Sequence, residues 1–204
     1  MIENLTEFWY LWLAAVVLAG VTVFVAVKAS KASKLHNETV RRQEEEIKRL
    51  KYLSDKYSEL TLQTAESSDA MELIEGIAAV LQKKTEKSGD YISAFNEAEE
   101  YCRKAYAVKY FFDDIRESGL SFWCRNNDEP LISLTFEAMS DIGETDSLNI
   151  MRAMYPMFDK NDDAVSYDKD RVDELDGKFS SVFSFERTAD GMKKYIAEQI
   201  SRNV

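Results

Sequence analysis

The chain contains only one histidine and two cysteines in 204 residues, and these shortages argue against several kinds of site. The one imidazole, that of His36, disfavours a His-based zinc site, a Ser-His-Asp triad or a Cys-His dyad, unless a partner chain supplies further imidazole. Cys102 and Cys124 are too few for a disulfide framework, and a cytoplasmic domain keeps them reduced. No positioned acid–base pair accompanies the plentiful hydroxyl groups. The sequence therefore predicts a protein that is not an enzyme and has no cofactor.

Positive charge is scarce as well, because the net charge of the chain is −11. The acidity is confined to residues 66–204, which carry 29 Asp and Glu against 17 Lys and Arg, a net charge of −12. Residues 1–65 have a net charge of +1. Such a balance disfavours direct binding to nucleic-acid phosphates and favours a basic protein partner, including proteins that normally hold DNA.

Charged residues are missing altogether from residues 8–27, which read FWYLWLAAVVLAGVTVFVAV. A helix of this length is about 30 Å long and crosses one bilayer hydrocarbon core, so we predict a single transmembrane helix in contact with lipid. A cleaved signal peptide is the alternative, but residues 1–7 contain no Lys or Arg. Positive residues follow the helix at Lys28, Lys31, Lys34, Arg41 and Arg42. This asymmetry predicts a single-pass cell-membrane protein with residues 1–7 outside and the C-terminal part in the cytoplasm.

Residues 28–66 form a basic collar and a predicted helical stalk without Pro or Gly. Leu50, Leu53, Tyr57 and Leu60 repeat at helical spacing, and Ile47 adds a neighbour. The stripe is shorter than the three to four heptads typical of a coiled coil. We therefore expect it to dock on the domain of its own chain, with self-association through the stalk as the alternative.

Residues 67–204 read as an acidic all-α domain. Asp69 is a predicted N-cap, with Glu72 completing a capping box, and residues 87–90 form a break. A helix from Tyr91 is expected to run to residue 119 with a bend near Ala105. An apolar segment at 120–124 and a turn at 125–128 follow.

Another helix begins at Pro130 and ends at Gly143. Thr145 or Asp146 is expected to cap the helix after it. Residues 180–185 (SSVFSF) are expected to form a short strand or an extended loop. Asp190 is expected to cap the last helix, and no long segment alternates as a strand does.

The acidic segment 159–170 has carboxylate and amide oxygens at positions 1, 3, 5 and 12, as a calcium loop requires. These residues are Asp159, Asn161, Asp163 and Asp170. Ala164 replaces the usual glycine of the sharp turn, and Asp170 is shorter than the usual Glu. We therefore expect a solvated acidic loop and no metal site, with calcium response as an alternative.

Residues from about 105 to 199 resemble a family of acidic, helical bacterial proteins named after a DNA-mimic protein. The resemblance rests on three motifs in order: Gly119-Leu120 with Trp123 and Asn126; then Ile142-Gly143; then Leu175-Asp176 with Phe179. Glu117, Ser118 and Phe122 depart from the pattern of the first motif. The resemblance implies an α-helical fold and, for the namesake, an acidic surface that imitates DNA phosphates and occupies DNA-binding proteins. Together with the predicted anchor, this indicates a membrane-anchored, non-enzymatic interaction module.

Overall fold

The computed structural model describes residues 38–158 and 168–202, and within these ranges the chain is helical and has no strand. The expected all-α architecture is therefore confirmed for the described residues. The predicted transmembrane helix at 8–27, the N-terminal segment 1–7 and most of the acidic loop, at 159–167, lie outside them. In the two described ranges, no helix combines the length and the apolarity needed to cross a membrane.

The chain divides into two compact units, Met1–Arg49 and Leu50–Val204. In the first unit, residues 38–49 are helical and exposed, and the side chain of Ile47 is 65% exposed. In the second unit, residues 50–56 are helical and are called α1 here. The following helices are α2 (Leu62–Ser67), α3 (Ala70–Ser88), α4 (Tyr91–Asn96), α5 (Glu100–Asn126), α6 (Leu131–Asp141), α7 (Thr145–Met154), α8 (Lys169–Val182) and α9 (Phe185–Arg202), with a 3-10 turn at Tyr155–Met157 after α7.

The predicted stripe docks on the domain that follows it. Leu53 and Tyr57 are 2% exposed, and Leu50 and Leu60 pack against the same core. Residues 50–66, which the sequence assigns to the stalk, therefore lie in the second compact unit. This arrangement supports docking of the stripe within the chain.

Residues 50–60 are called the docked segment here. Tyr57 holds the docked segment in place, because its ring lies directly over Gly76 of α3. A Cβ atom at position 76 would be 2.0 Å from Cδ2 of Tyr57, so only glycine leaves room for the ring. The Tyr57 hydroxyl donates to Glu72 over 3.1 Å, and Lys56 pairs with the same carboxylate at 2.5 Å. Glu72 therefore binds residues of the docked segment, although the sequence predicts a capping box in which it would reach back to Asp69.

Several helix ends follow the predicted local chemistry. The Asp69 carboxylate accepts a hydrogen bond from the backbone N–H of Glu72 at 3.0 Å, as an N-cap does. Gly89 and Gly143 have φ values of 73° and 76°, so both end helices in the left-handed conformation that favours glycine.

The predicted bend near Ala105 is wrong. Ala105 is fully buried inside α5, and the interruption falls earlier, between α4 and α5, at residues 97–99. Glu99, at φ −53° and ψ 142°, leaves the helical conformation immediately before α5. Phe95, at the end of α4, packs edge-to-face on Tyr106, and burial of this ring sets the corner.

Four further expectations require correction. The turn predicted at 125–128 is wrong at its first two residues, because a new helical stretch starts within α5 after Gly119, whose φ is 82°, includes the apolar segment 120–124 and continues to Asn126. The segment 180–185 contains no strand, since α8 continues to Val182. Asp190 lies inside α9, which starts at Phe185 with the Ser184 hydroxyl accepting from the Arg187 N–H. Neither Thr145 nor Asp146 caps α7, because both lie in its first turn.

Candidate functional site

The first and third family motifs meet at Gly119. The Asp176 carboxylate on α8 accepts a hydrogen bond from the backbone N–H of Ser121 at 3.1 Å. It thus caps the helical stretch that starts after Gly119, in the manner of an N-cap supplied by another helix. The two motifs are therefore connected by a hydrogen bond between a backbone N–H of the first motif and the side chain of Asp176 in the third.

The apolar residues of these motifs are buried together. Leu120, Trp123, Leu175 and Phe179 are each at most 4% exposed. Phe111 connects them, because its ring lies 5.0 Å from that of Trp123 and 6.2 Å from that of Phe179, edge-to-face in both cases. The side chain of Asn126 donates to the Phe122 carbonyl at 2.8 Å. The apolar motif residues therefore contribute to the core of the fold.

The second motif, Ile142-Gly143, packs against α9. A Cβ atom at Gly191 would be 3.0 Å from Cβ of Ile142, so the absence of a side chain at position 191 permits the close approach. Glu144, which follows the motif, is 7% exposed at its side chain and forms a two-pronged ion pair with Arg187 of α9, at 2.6 and 2.8 Å. The Ile142-Gly143 turn is thereby fixed to α9.

A wide groove of about 1220 Å³ lies between this turn and α9. It is lined by six carboxylates, those of Asp141, Glu144, Asp146, Glu186, Asp190 and Glu198, and by the cations of Arg187 and Lys194. We call it the acidic groove. Within it, the charge of Glu144 is matched by Arg187, whose pKa is raised by the hydrogen bonds to Glu144.

The carboxylate of Asp141 is paired with a buried lysine. Lys104 of α5 is 4% exposed at its side chain and pairs with Asp141 at 2.7 Å, with Glu137 at 3.6 Å, and with Glu100. Burial lowers the pKa of Lys104, but the hydrogen bonds to Asp141 and Glu100 outweigh it, and the pKa lies above its usual value. The lysine therefore stays charged at neutral pH.

The carboxylates of Asp146, Glu186 and Asp190 have no salt-bridge partner within 4 Å in the part of the chain that the structure describes. Glu186 and Asp190 are one turn apart on α9, and the exposed Lys194 and Glu198 continue the row at the same spacing. Like charges at this spacing destabilise a helix by roughly 0.2–0.5 kcal/mol. The groove thus retains a net negative charge, and the repulsion between Glu186 and Asp190 lowers the stability of α9 only slightly.

The chemistry available here is electrostatic. Among residues 38–158 and 168–202, no group of three or more His, Cys, Asp and Glu side chains is arranged to hold a metal ion. Of the predicted calcium ligands, Asp170 lies in the first turn of α8. Asp159, Asn161 and Asp163 lie outside the described residues. The arrangement is suited to binding positively charged groups.

The region that contains both the motifs and the acidic groove is the region matched by a family model. The model for DMP19-like protein matches residues 96–199, just over half of the chain. The chain belongs to the DMP19-like protein family. This membership confirms the resemblance found in the sequence, and the match starts somewhat earlier than the motifs predict. Neither the curated proteins nor the solved structures include a match to this DMP19-like chain.

The sequence indicated that the DMP19-like region is acidic, but it did not indicate which carboxylates gather in one groove. It singled out Asp190 only as a helix cap and gave Asp146 and Glu186 no place in a site. The spacing of Glu186 and Asp190, four residues apart in the last helix, is the signal that could have indicated a charged face. The contribution of Asp146 from α7 depends on tertiary packing.

Proposed function

We propose that this DMP19-like protein is a non-enzymatic interaction module that presents its acidic groove to a basic segment of a protein partner. The observation that carries the proposal is that six carboxylates line one groove, and that three of them, those of Asp146, Glu186 and Asp190, have no salt-bridge partner within 4 Å among the described residues. Cationic side chains are attracted by such a surface, and the attraction speeds and orients association.

Two further considerations support a protein partner. The family is that of DNA mimic protein 19, and its name implies imitation of DNA toward DNA-binding proteins. Residues 66–204 have a net charge of −12, which opposes direct contact with nucleic-acid phosphates. A protein surface that normally binds DNA has the complementary charge.

The proposal includes anchoring of the domain to the cell membrane through residues 8–27, with the domain in the cytoplasm. Its support is the uncharged apolar run and the positive residues that follow it. The expected result is that the full chain floats with liposomes, whereas the double variant Val17→Lys and Leu18→Lys does not. Each lysine at the centre of the span costs roughly 2.5–3.5 kcal/mol on the insertion scale. Equal flotation of both proteins would contradict membrane anchoring through residues 8–27.

The groove is tested by charge neutralisation with a matched control. Glu186→Gln with Asp190→Asn removes two charges from the groove, and Asp170→Asn with Asp173→Asn removes two from α8. Both pairs are exposed, and each includes one acid in the first turn of its helix. The comparison therefore holds net charge and helix position constant.

The measurement is retention of heparin-binding cell proteins on the immobilised chain, identified by mass spectrometry. Retention should fall steeply between roughly 50 and 200 mM salt, because screening weakens exposed ion pairs. Loss of two such pairs, at about 0.2–1 kcal/mol each, weakens binding by roughly two- to thirty-fold. Equal weakening by the control pair would show a general charge effect, and salt-insensitive retention would contradict the proposal.

A further inference from the structure

A second cavity, of about 500 Å³, lies on a different part of the domain and shares no residue with the acidic groove. Its walls come from the docked segment at 57–60, from α3, and from the corner between α4 and α5. Leu60, Val80 and Ala98 line it and are only partly buried, while Ile77 is 3% exposed at its base. The cavity has the size of a site that receives a side chain or a small ligand, and apolar and polar groups contribute to its lining in similar measure.

One wall of this cavity is the segment that Tyr57 fixes on Gly76. Lys83 reinforces it by pairing with Asp55 at 2.7 Å and by donating to the Ser54 hydroxyl at 3.2 Å. The wall is therefore fixed by packing and by ion pairs, and the cavity is formed without a ligand.

The rim carries a small number of charged groups. Glu97 and Glu99 lie at the corner between α4 and α5, and Lys84 lies on α3. No salt bridge within 4 Å joins Lys84, Glu97 or Glu99 to any residue that the structure describes. Burial raises the pKa of the Cys102 thiol in the lining to about 11, so this group stays neutral at physiological pH. The rim is thus negative on balance, with two carboxylates facing one ammonium group.

We propose that this cavity binds a peptide segment that places a bulky aliphatic side chain on Ile77, Val80 and Ala98 and a flanking basic residue beside Glu97 and Glu99. The apolar base accounts for the aliphatic group, and the charge of the rim accounts for the basic one. An aliphatic anion such as a fatty acid fits less well, because its head group would face both carboxylates on a domain that is already strongly acidic.

The test uses fluorescently labelled hexapeptides and the full chain, with binding followed by fluorescence anisotropy. The probe Gly-Lys-Leu-Leu-Lys-Gly is compared with peptides in which Ser replaces Leu or Glu replaces Lys. We expect the first peptide to bind at least ten-fold more tightly than either of the others, since burial of an aliphatic side chain and pairing of its basic neighbour both contribute.

Variants assign this preference to the cavity. Ala98→Trp should fill it and remove the advantage of Leu over Ser, whereas Ala153→Trp, at an exposed position of α7, should not. Glu97→Lys with Glu99→Lys, at exposed positions that leave the apolar base intact, should reverse the preference for Lys over Glu. This pair keeps the test valid if Ala98→Trp fails to fold, which circular dichroism will show.

Three results would overturn the proposal: equal binding of the Leu and Ser peptides, a preference that persists in the folded Ala98→Trp variant, or displacement of the first peptide by laurate. The Glu186→Gln and Asp190→Asn variant separates the two sites. Peptide binding that is lost in that variant alone would belong to the acidic groove and count against the cavity. Loss of groove binding with an intact peptide preference would contradict only the proposed function.

Discussion

Replacement of Gly76 by alanine should destabilise the protein, although the same change usually stabilises a helix. In a free helix interior, alanine is favoured over glycine by about 0.8–1.0 kcal/mol. At Gly76 the new Cβ would be 2.0 Å from Cδ2, 2.5 Å from Cε2 and 2.7 Å from Cγ of Tyr57. Because the ring of Tyr57 is buried, it must shift with its segment, and overpacking of this kind costs about 1–3 kcal/mol. The net expectation is a loss of up to roughly 2 kcal/mol.

Urea unfolding followed by circular dichroism measures this effect, and the chain offers a matched control. Gly177 is also inside a helix, α8, and a Cβ at that position meets nothing within 4 Å. Gly177→Ala should therefore stabilise the protein by about 0.8–1.0 kcal/mol. The two glycine substitutions should thus change the free energy of unfolding in opposite directions.

A double-mutant cycle with Tyr57→Ala attributes the loss to the ring. In that background the clash is absent, so Gly76→Ala should become stabilising by up to about 1 kcal/mol. If Gly76→Ala stabilises the wild-type protein, or has the same effect in both backgrounds, the described docking of the segment on α3 is refuted.

Three further predictions concern other parts of the chain. Asp176→Ala should lower the free energy of unfolding by about 0.5–2 kcal/mol, as loss of an N-cap does, and Asp176→Asn should lose less; urea unfolding checks both. The hydrogen bond from Lys56 lowers the pKa of Glu72 below its ordinary value of 4.5, so this stabilisation is complete above that pH and is lost as the pH falls through the lowered pKa. The protection of the docked segment against hydrogen exchange, expressed relative to the intrinsic exchange rate at each pH, should fall on acidification, and Glu72→Gln should flatten this dependence. Millimolar calcium should leave the melting temperature of the full chain unchanged, whereas an increase would show a calcium site, because a ligand that binds only the folded state raises stability.

The helix ends at Asp69, Gly89 and Gly143 were predictable because local chemistry sets them, whereas the caps predicted at Thr145 or Asp146 and at Asp190 were wrong. Asp69 caps α3 through its own side chain, and Gly89 and Gly143 adopt positive φ values that few other residues adopt. The packing of the stripe from Leu50 to Leu60 also follows from its spacing, because a stripe too short for a coiled coil still needs an apolar surface to cover it.

The errors arose where tertiary packing decides. The segment 180–185 is a short apolar run, and periodicity alone does not distinguish strand from helix in such runs. Its Phe183 packs edge-to-face on Phe111 at 5.5 Å, a partner distant in sequence. The acidic groove depends in the same way on the approach of Ile142 to Gly191, which brings Asp146 of α7 to the side of α9. Composition shows how many carboxylates are present and not which of them share a surface.

The row of charges on α9 has a direction. Glu186, Asp190, Lys194 and Glu198 follow one another at intervals of four residues, about 6 Å along the helix, with the signs minus, minus, plus, minus. This order differs when it is read from the other end. A partner that carries plus, plus, minus, plus at the same spacing can match all four charges in one orientation only, whereas reversal brings two pairs of like charges together. The row would therefore determine which way a bound segment runs as well as how strongly it is held.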